Sequence, residues 1–118
     1  MSILQHLVAV YKLWFELKQH LRKSAKYTLG EKIDNLFIET LELIFRAQYA
    51  PQERTLPILE EANTKFDLLK FFLMTLWETK GIETKHYVLL SEKLETIGKM
   101  LGGWLRRFTA AAPPNTKK

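Results

Sequence analysis

With 118 residues, 47% of them apolar, the chain is long enough to bury one sizeable core and make a single domain. It has no cysteine, which excludes disulfides, thiolate metal sites and cysteine nucleophiles and fits a reducing cytoplasm. The net charge of +5 favours polyanionic partners, and no run of about 18 apolar residues is present to cross a membrane.

The charge is unevenly spread. Residues 1–29 hold five Lys/Arg against one Glu, residues 30–79 five against nine Asp/Glu, and residues 80–118 eight against three Glu. Both ends are cationic and the middle is acidic. No basic segment followed by a long apolar core opens the chain, so no signal peptide is expected.

Residues 3–22 read as a first helix with two apolar seams. One seam is Ile3, Leu7, Val10, Trp14, Leu17 and Leu21; the other is Leu4, Val8, Tyr11 and Phe15. A helix serving one core needs a stripe of about 100°. The wider stripe here implies a second buried contact, with another subunit or through deeper burial in its own bundle. Lys18, Arg22 and Lys26 form a cationic ridge if the helix runs on through Lys26.

Residues 24–28 read as a turn, and Thr28-Leu29-Gly30-Glu31 matches a capping box. The second helix then runs to about Gln48, with Leu29, Ile33, Leu36, Phe37, Thr40, Leu41, Ile44 and Ala47 inward. Pro51 stops it, because the residue before a proline is pushed out of the helical region. Thr55 is the expected N-cap of the third helix, with Pro57 in its first turn. That helix carries Leu59, Ala62, Phe66, Leu69, Phe72 or Leu73, Leu76 and Trp77. It ends near Lys80, with Gly81 as the left-handed residue and Ile82 folding back.

Thr84 is the expected cap of a fourth helix running to about Ala110. Its apolar positions Leu90, Leu94, Ile97, Leu101, Trp104 and Phe108 recur at helical spacing. Gly98, Gly102 and Gly103 lie inside it, each costing about 1 kcal/mol relative to alanine. Gly98 and Gly102 share a face, where another backbone can come close. Core packing and a seam between subunits both account for them. Lys99, Arg106 and Arg107 add cations beside the glycines.

Four helices joined by short turns make an all-α, up-down-up-down bundle over residues 1–110, and residues 111–118 read as a flexible basic tail. The first and fourth helices are neighbours in that topology, which is expected to bring the two basic segments to one side.

The chemistry of an enzyme is missing from the pattern. His6, His20 and His86 have no ligand-type partner at helical spacing, so no metal site is expected. Ser2, Ser24 and Ser91 have no base and orienting acid suggested by the spacing, and Glu39 and Glu42 sit on a polar face. Trp14, Phe15, Trp77 and Trp104 could stack bases, but at helical spacing they read as core or interface anchors. The expectation is a protein that is not an enzyme and needs no cofactor.

The segments Ala62–Leu73 and Tyr87–Trp104 resemble the accessory variability determinant (Avd) proteins of diversity-generating retroelements. The likeness is strongest over residues 58–107. Gly98, Lys99, Met100, Leu101, Gly102, Gly103 and Trp104 fill the family pattern of Gly, basic, any, Leu, Gly, small, Trp. Lys99 stands where arginine is common, keeping charge but losing bidentate phosphate geometry. The resemblance implies a four-helix bundle assembled into a homopentameric barrel. It implies a reverse transcriptase partner and binding of template-repeat RNA, with DNA a second candidate. Bundles encoded in ribosomal intervening sequences share the fold without that role.

Two readings follow. In the first, an oligomeric cytoplasmic scaffold uses Lys70, Lys99, Arg106 and Arg107, then Lys18, Arg22 and Lys26, to hold RNA or polymerase. Trp14, Phe15, Gly98, Gly102, Gly103 and Trp104 serve helix packing or assembly. In the second, the chain is a structural oligomer with no nucleic-acid role. Peripheral membrane attachment through the first helix is a weaker third, because its aromatic face is needed for the bundle.

Overall fold

The computed structural model describes residues 2–110. It contains α1 (Ile3–Lys18), the one-turn α2 (Lys23–Lys26), α3 (Leu29–Tyr49), α4 (Gln52–Glu78) and α5 (Thr84–Ala110). All described elements are helical. The expected tail at residues 111–118 lies outside the described residues.

The four long helices pack in the cyclic order α1, α3, α4, α5, each antiparallel to its neighbours, in a rod 51 Å long. The core runs along the axis: Leu7, Val10 and Trp14 from α1, Ile33 to Ile44 from α3, Leu59 to Leu76 from α4, and Leu90, Leu94, Ile97 and Leu101 from α5. Burial of those four α5 side chains supplies about 6–12 kcal/mol at about 1.5–3 each. That outweighs the roughly 3 kcal/mol lost to three glycines, so α5 forms despite them. In α3, Leu43 is buried while Leu29 and Leu41 are half-buried; in α4, Leu73 takes the core position and Phe72 flanks it.

The corners differ from the sequence expectations. α1 ends at Lys18 rather than Arg22: the amides of His20 and Leu21 donate to the carbonyls of Leu17 and Lys18, three residues back, tightening the last turn. Arg22 is extended, and its guanidinium donates to the Lys80 carbonyl at 3.0 Å. The ridge of Lys18, Arg22 and Lys26 is therefore broken.

The capping box at Thr28 does not form. Its hydroxyl donates backwards to the carbonyls of Ser24 and Ala25, and Glu31 pairs with Lys18 at 3.3 Å. A reciprocal box stands instead at Ser2 and Gln5.

Pro51, not Thr55, caps α4. Thr55 is buried, with its hydroxyl on the Pro51 carbonyl, and Pro57 sits one turn deeper than expected. The α4–α5 turn closes with the Gly81 amide on the Leu76 carbonyl and the Lys80 amide on the Trp77 carbonyl. The left-handed residue is Lys80, at φ 63°, rather than Gly81. Gly81 serves close approach: a Cβ there would overlap Leu76 Cδ1 and lie 3.2 Å from the Leu76 carbonyl oxygen. Thr84 begins α5, but its hydroxyl accepts from the Trp77 indole at 3.0 Å instead of capping.

Candidate nucleic-acid interface

α1 and α5 are neighbours, as expected, but run in opposite directions. Their basic segments therefore lie at opposite ends of the rod rather than on one side. The proximal end joins Ile3, Gln48, Tyr49, Trp104 and Arg107 around an open cleft of about 510 Å³. The distal end joins His20, Arg22, Trp77, Lys80 and Thr84 around a cleft of about 700 Å³, where Glu78 and Glu83 offset the cations.

The proposed cations divide by their surroundings. Lys18 is largely covered and paired with Glu31. Arg22 is engaged by the Lys80 carbonyl. Lys26 lies 5.6 Å from the ring centre of Tyr27. Lys70 lies in the groove between α4 and α5, 3.8 Å from Asp67 and 5.2 Å from the centre of the Phe66 ring. Lys99, Arg106 and Arg107 are exposed on α5 and, among the described residues, have no acidic partner within 4.0 Å. They are the cations with the most charge to offer a phosphate, since an exposed cation without a partner gives up only water on binding.

The glycines separate in the same way. A Cβ on Gly98 would stand 3.4 Å from Phe66 Cε2 and 4.0 Å from Lys70 Nζ, in ordinary contact with α4. Cβ atoms on Gly102 and Gly103 would meet only the guanidinium of Arg106, at 3.6 and 3.8 Å. Among the described residues, no other element comes within 4 Å of those two Cβ positions. Arg106 thus lies back along its own helix over bare backbone.

Of the aromatic anchors, Trp14 is fully buried, 6.0 Å from Phe37 and stacked on it. Phe15 is 50% exposed, and Trp104 is half-buried at the proximal cleft. Trp77 stacks on Tyr87 at 4.8 Å and 4°, clasping α4 to α5.

Sequence reasoning missed one polar node. Asp34 accepts from the Tyr11 hydroxyl at 2.9 Å and the Trp14 indole at 3.2 Å, locking α1 to α3. Burial, the bond to Asp34 and its negative charge push the Tyr11 phenol up to about 12. The signal was present: Tyr11 and Trp14 lie three apart, so both donors project toward one neighbouring helix.

Among the described residues, no group of three or more His, Asp or Glu could hold a metal ion, and no helix is long and apolar enough to cross a membrane. The architecture is that of an all-helical bundle that carries exposed cations without acidic partners on α5.

A family model described as bAvd-like matches residues 1–108, and the chain belongs to that family. The family is one of accessory proteins in diversity-generating retroelements. No curated protein and no solved structure matches the chain.

Proposed function

We propose that this chain is a non-catalytic scaffold for mutagenic reverse transcription, working as a homopentamer in the cytoplasm and binding a reverse transcriptase and its template RNA. Family membership supports the accessory role. The observation that carries the binding reading is the unpaired set Lys99, Arg106 and Arg107 on the outer and proximal part of α5. Beside Arg107, Tyr49 is 74% exposed and Trp104 lines the same cleft. Cations next to aromatic faces suit single-stranded nucleic acid, since each phosphate takes a charge and each base has a face to stack. One copy offers few such contacts; several copies held together multiply them.

Binding of this kind is largely independent of sequence and weakens steeply with salt. Lys99→Ala with Arg106→Ala should weaken binding of RNA or polymerase while leaving helix content intact by circular dichroism. Unchanged binding of both partners would overturn the assignment. The alternative is a structural helical oligomer of the intervening-sequence type. The wide apolar stripe of α1 favours it equally, and an assembly with no RNA affinity at low salt would select it.

A further inference from the structure

Three helix ends meet at the proximal tip of the rod: the start of α1 and the last turns of α3 and α5. They frame the open cleft of about 510 Å³ lined by Ile3, Gln48, Tyr49, Trp104 and Arg107. That volume falls among small-ligand pockets, which run to about 300–1,000 Å³. Half-buried Trp104 and exposed Tyr49 supply aromatic faces, and Phe45, one turn before Tyr49, supports its ring at 5.0 Å between centres. Gln48 supplies an exposed amide that can both donate and accept. Arg107 supplies the charge, and no acidic residue lines the cleft.

The surrounding charges agree. Among the described residues, the other charged side chains within four residues of the lining ones are Arg46, Arg106 and Glu53, and Arg46 pairs with Glu42 at 3.9 Å. With Arg107 counted, this end keeps a cationic surplus. The larger distal cleft carries Glu78 and Glu83 in its wall, where they would repel a phosphate. Arg106 and Arg107 are consecutive, so they project about 100° apart on the helix. Arg106 lies back over Gly102 and Gly103, while Arg107 turns into the cleft.

We propose that the proximal cleft binds a nucleotide: one unstacked base against Trp104 and Tyr49, its edge at Gln48 and its phosphate on Arg107. This assignment rests on the RNA-binding reading and deepens it by naming the unit of the strand that the cleft takes. Aromatic faces accept any base, because every base has a face to stack. A base inside a duplex is already paired and stacked on both sides, so it has no face to offer. The cleft therefore separates unpaired strands from duplexes, which meet only the cations. A free mononucleotide carries the same chemistry, and the test distinguishes the two sources.

Labelled single-stranded RNA and a duplex of equal length are titrated at low salt against the wild type, Tyr49→Leu, Tyr49→Phe and Arg107→Ala. Both positions are exposed, so the variants should fold, which circular dichroism checks. Tyr49→Leu should bind the single strand about fivefold more weakly or worse, since a stacked base loses one aromatic partner. Its duplex binding should be unchanged, and Tyr49→Phe should bind the single strand like the wild type. Arg107→Ala should weaken binding of both. In a Trp77→Phe background Trp104 is the one indole outside the buried core, because Trp14 is fully buried. Uridine monophosphate or a short single strand should quench its fluorescence, and inorganic phosphate should not. Quenching by the mononucleotide at the strand's affinity assigns a free nucleotide as ligand; much tighter quenching by the strand assigns an RNA residue. Wild-type affinity of Tyr49→Leu for the single strand, or Trp104 fluorescence indifferent to both nucleotide probes, overturns the assignment and leaves the RNA-binding reading standing. A wild-type chain that binds no RNA at low salt overturns that reading and this assignment with it.

Discussion

Replacing Gly102 and Gly103 by alanine should make the isolated bundle more stable. Neither glycine has positive φ, so alanine adopts the same backbone without strain. The added methyl groups would stand 3.6 and 3.8 Å from the Arg106 guanidinium and meet nothing else. Each substitution therefore recovers helix propensity of about 1 kcal/mol, and the pair about 2 kcal/mol. For a domain of this size that raises the melting temperature by about 8 °C. The assay is thermal unfolding followed at 222 nm, at a dilution where sedimentation finds single copies. A fall in the melting temperature of the dilute protein would refute the reasoning, since it would mean that the single bundle itself requires those glycines.

Lys80→Gly should stabilise the chain by about 1 kcal/mol, because glycine carries no Cβ penalty at φ 63°; chemical denaturation measures it, and a loss of stability would contradict it. Gly81→Ala should cost about 1–3 kcal/mol in the same assay, because its Cβ would overlap Leu76 Cδ1 and press on Ala25 Cβ at 3.2 Å. Tyr11→Phe should cost about 1 kcal/mol at neutral pH by removing a donor from Asp34. The Tyr11 phenol also sets a pH dependence. Its folded value of about 12 lies above the ordinary phenol value of 10.0, so its contribution is complete below pH 10 and is lost as pH rises toward 12. The urea midpoint should fall more steeply across that window in the wild type than in Tyr11→Phe, and equal slopes would contradict it.

The long helices were legible in the sequence because burial dominates them. Apolar residues at three- and four-residue spacing leave only one way to hide Leu90, Leu94, Ile97 and Leu101 together. The corners were less legible because weak local options compete there within about 1 kcal/mol. Thr28 could accept from the amide three residues on, yet it donates to Ser24 and Ala25 because α2 folds beneath it, and Glu31 finds Lys18. Lys80 rather than Gly81 takes the left-handed position because the packing of Leu76 needs bare backbone one residue later.

The candidate site was legible in kind but not in arrangement. Counting charge by segment finds two basic ends; only the antiparallel course of α1 and α5 sends them to opposite ends of the rod. Spacing alone also cannot tell a spent cation from a free one. Lys18 and Lys99 look alike in the sequence, but one faces Glu31 across a helix packing and the other faces water. On α1 the second seam reaches past this core: Phe15 remains half exposed beside the core that buries Trp14.

The most direct test of the scaffold reading is the salt dependence of RNA binding by the intact chain. A labelled single-stranded RNA is titrated at several salt concentrations, and the logarithm of affinity is plotted against that of salt. For single strands each neutralised phosphate contributes a slope of about −0.7, so Lys99, Arg106 and Arg107 of one copy yield no more than about −2. Copies acting together predict a steeper slope. Absence of binding at low salt, or a slope no steeper than one copy supplies, would contradict the account.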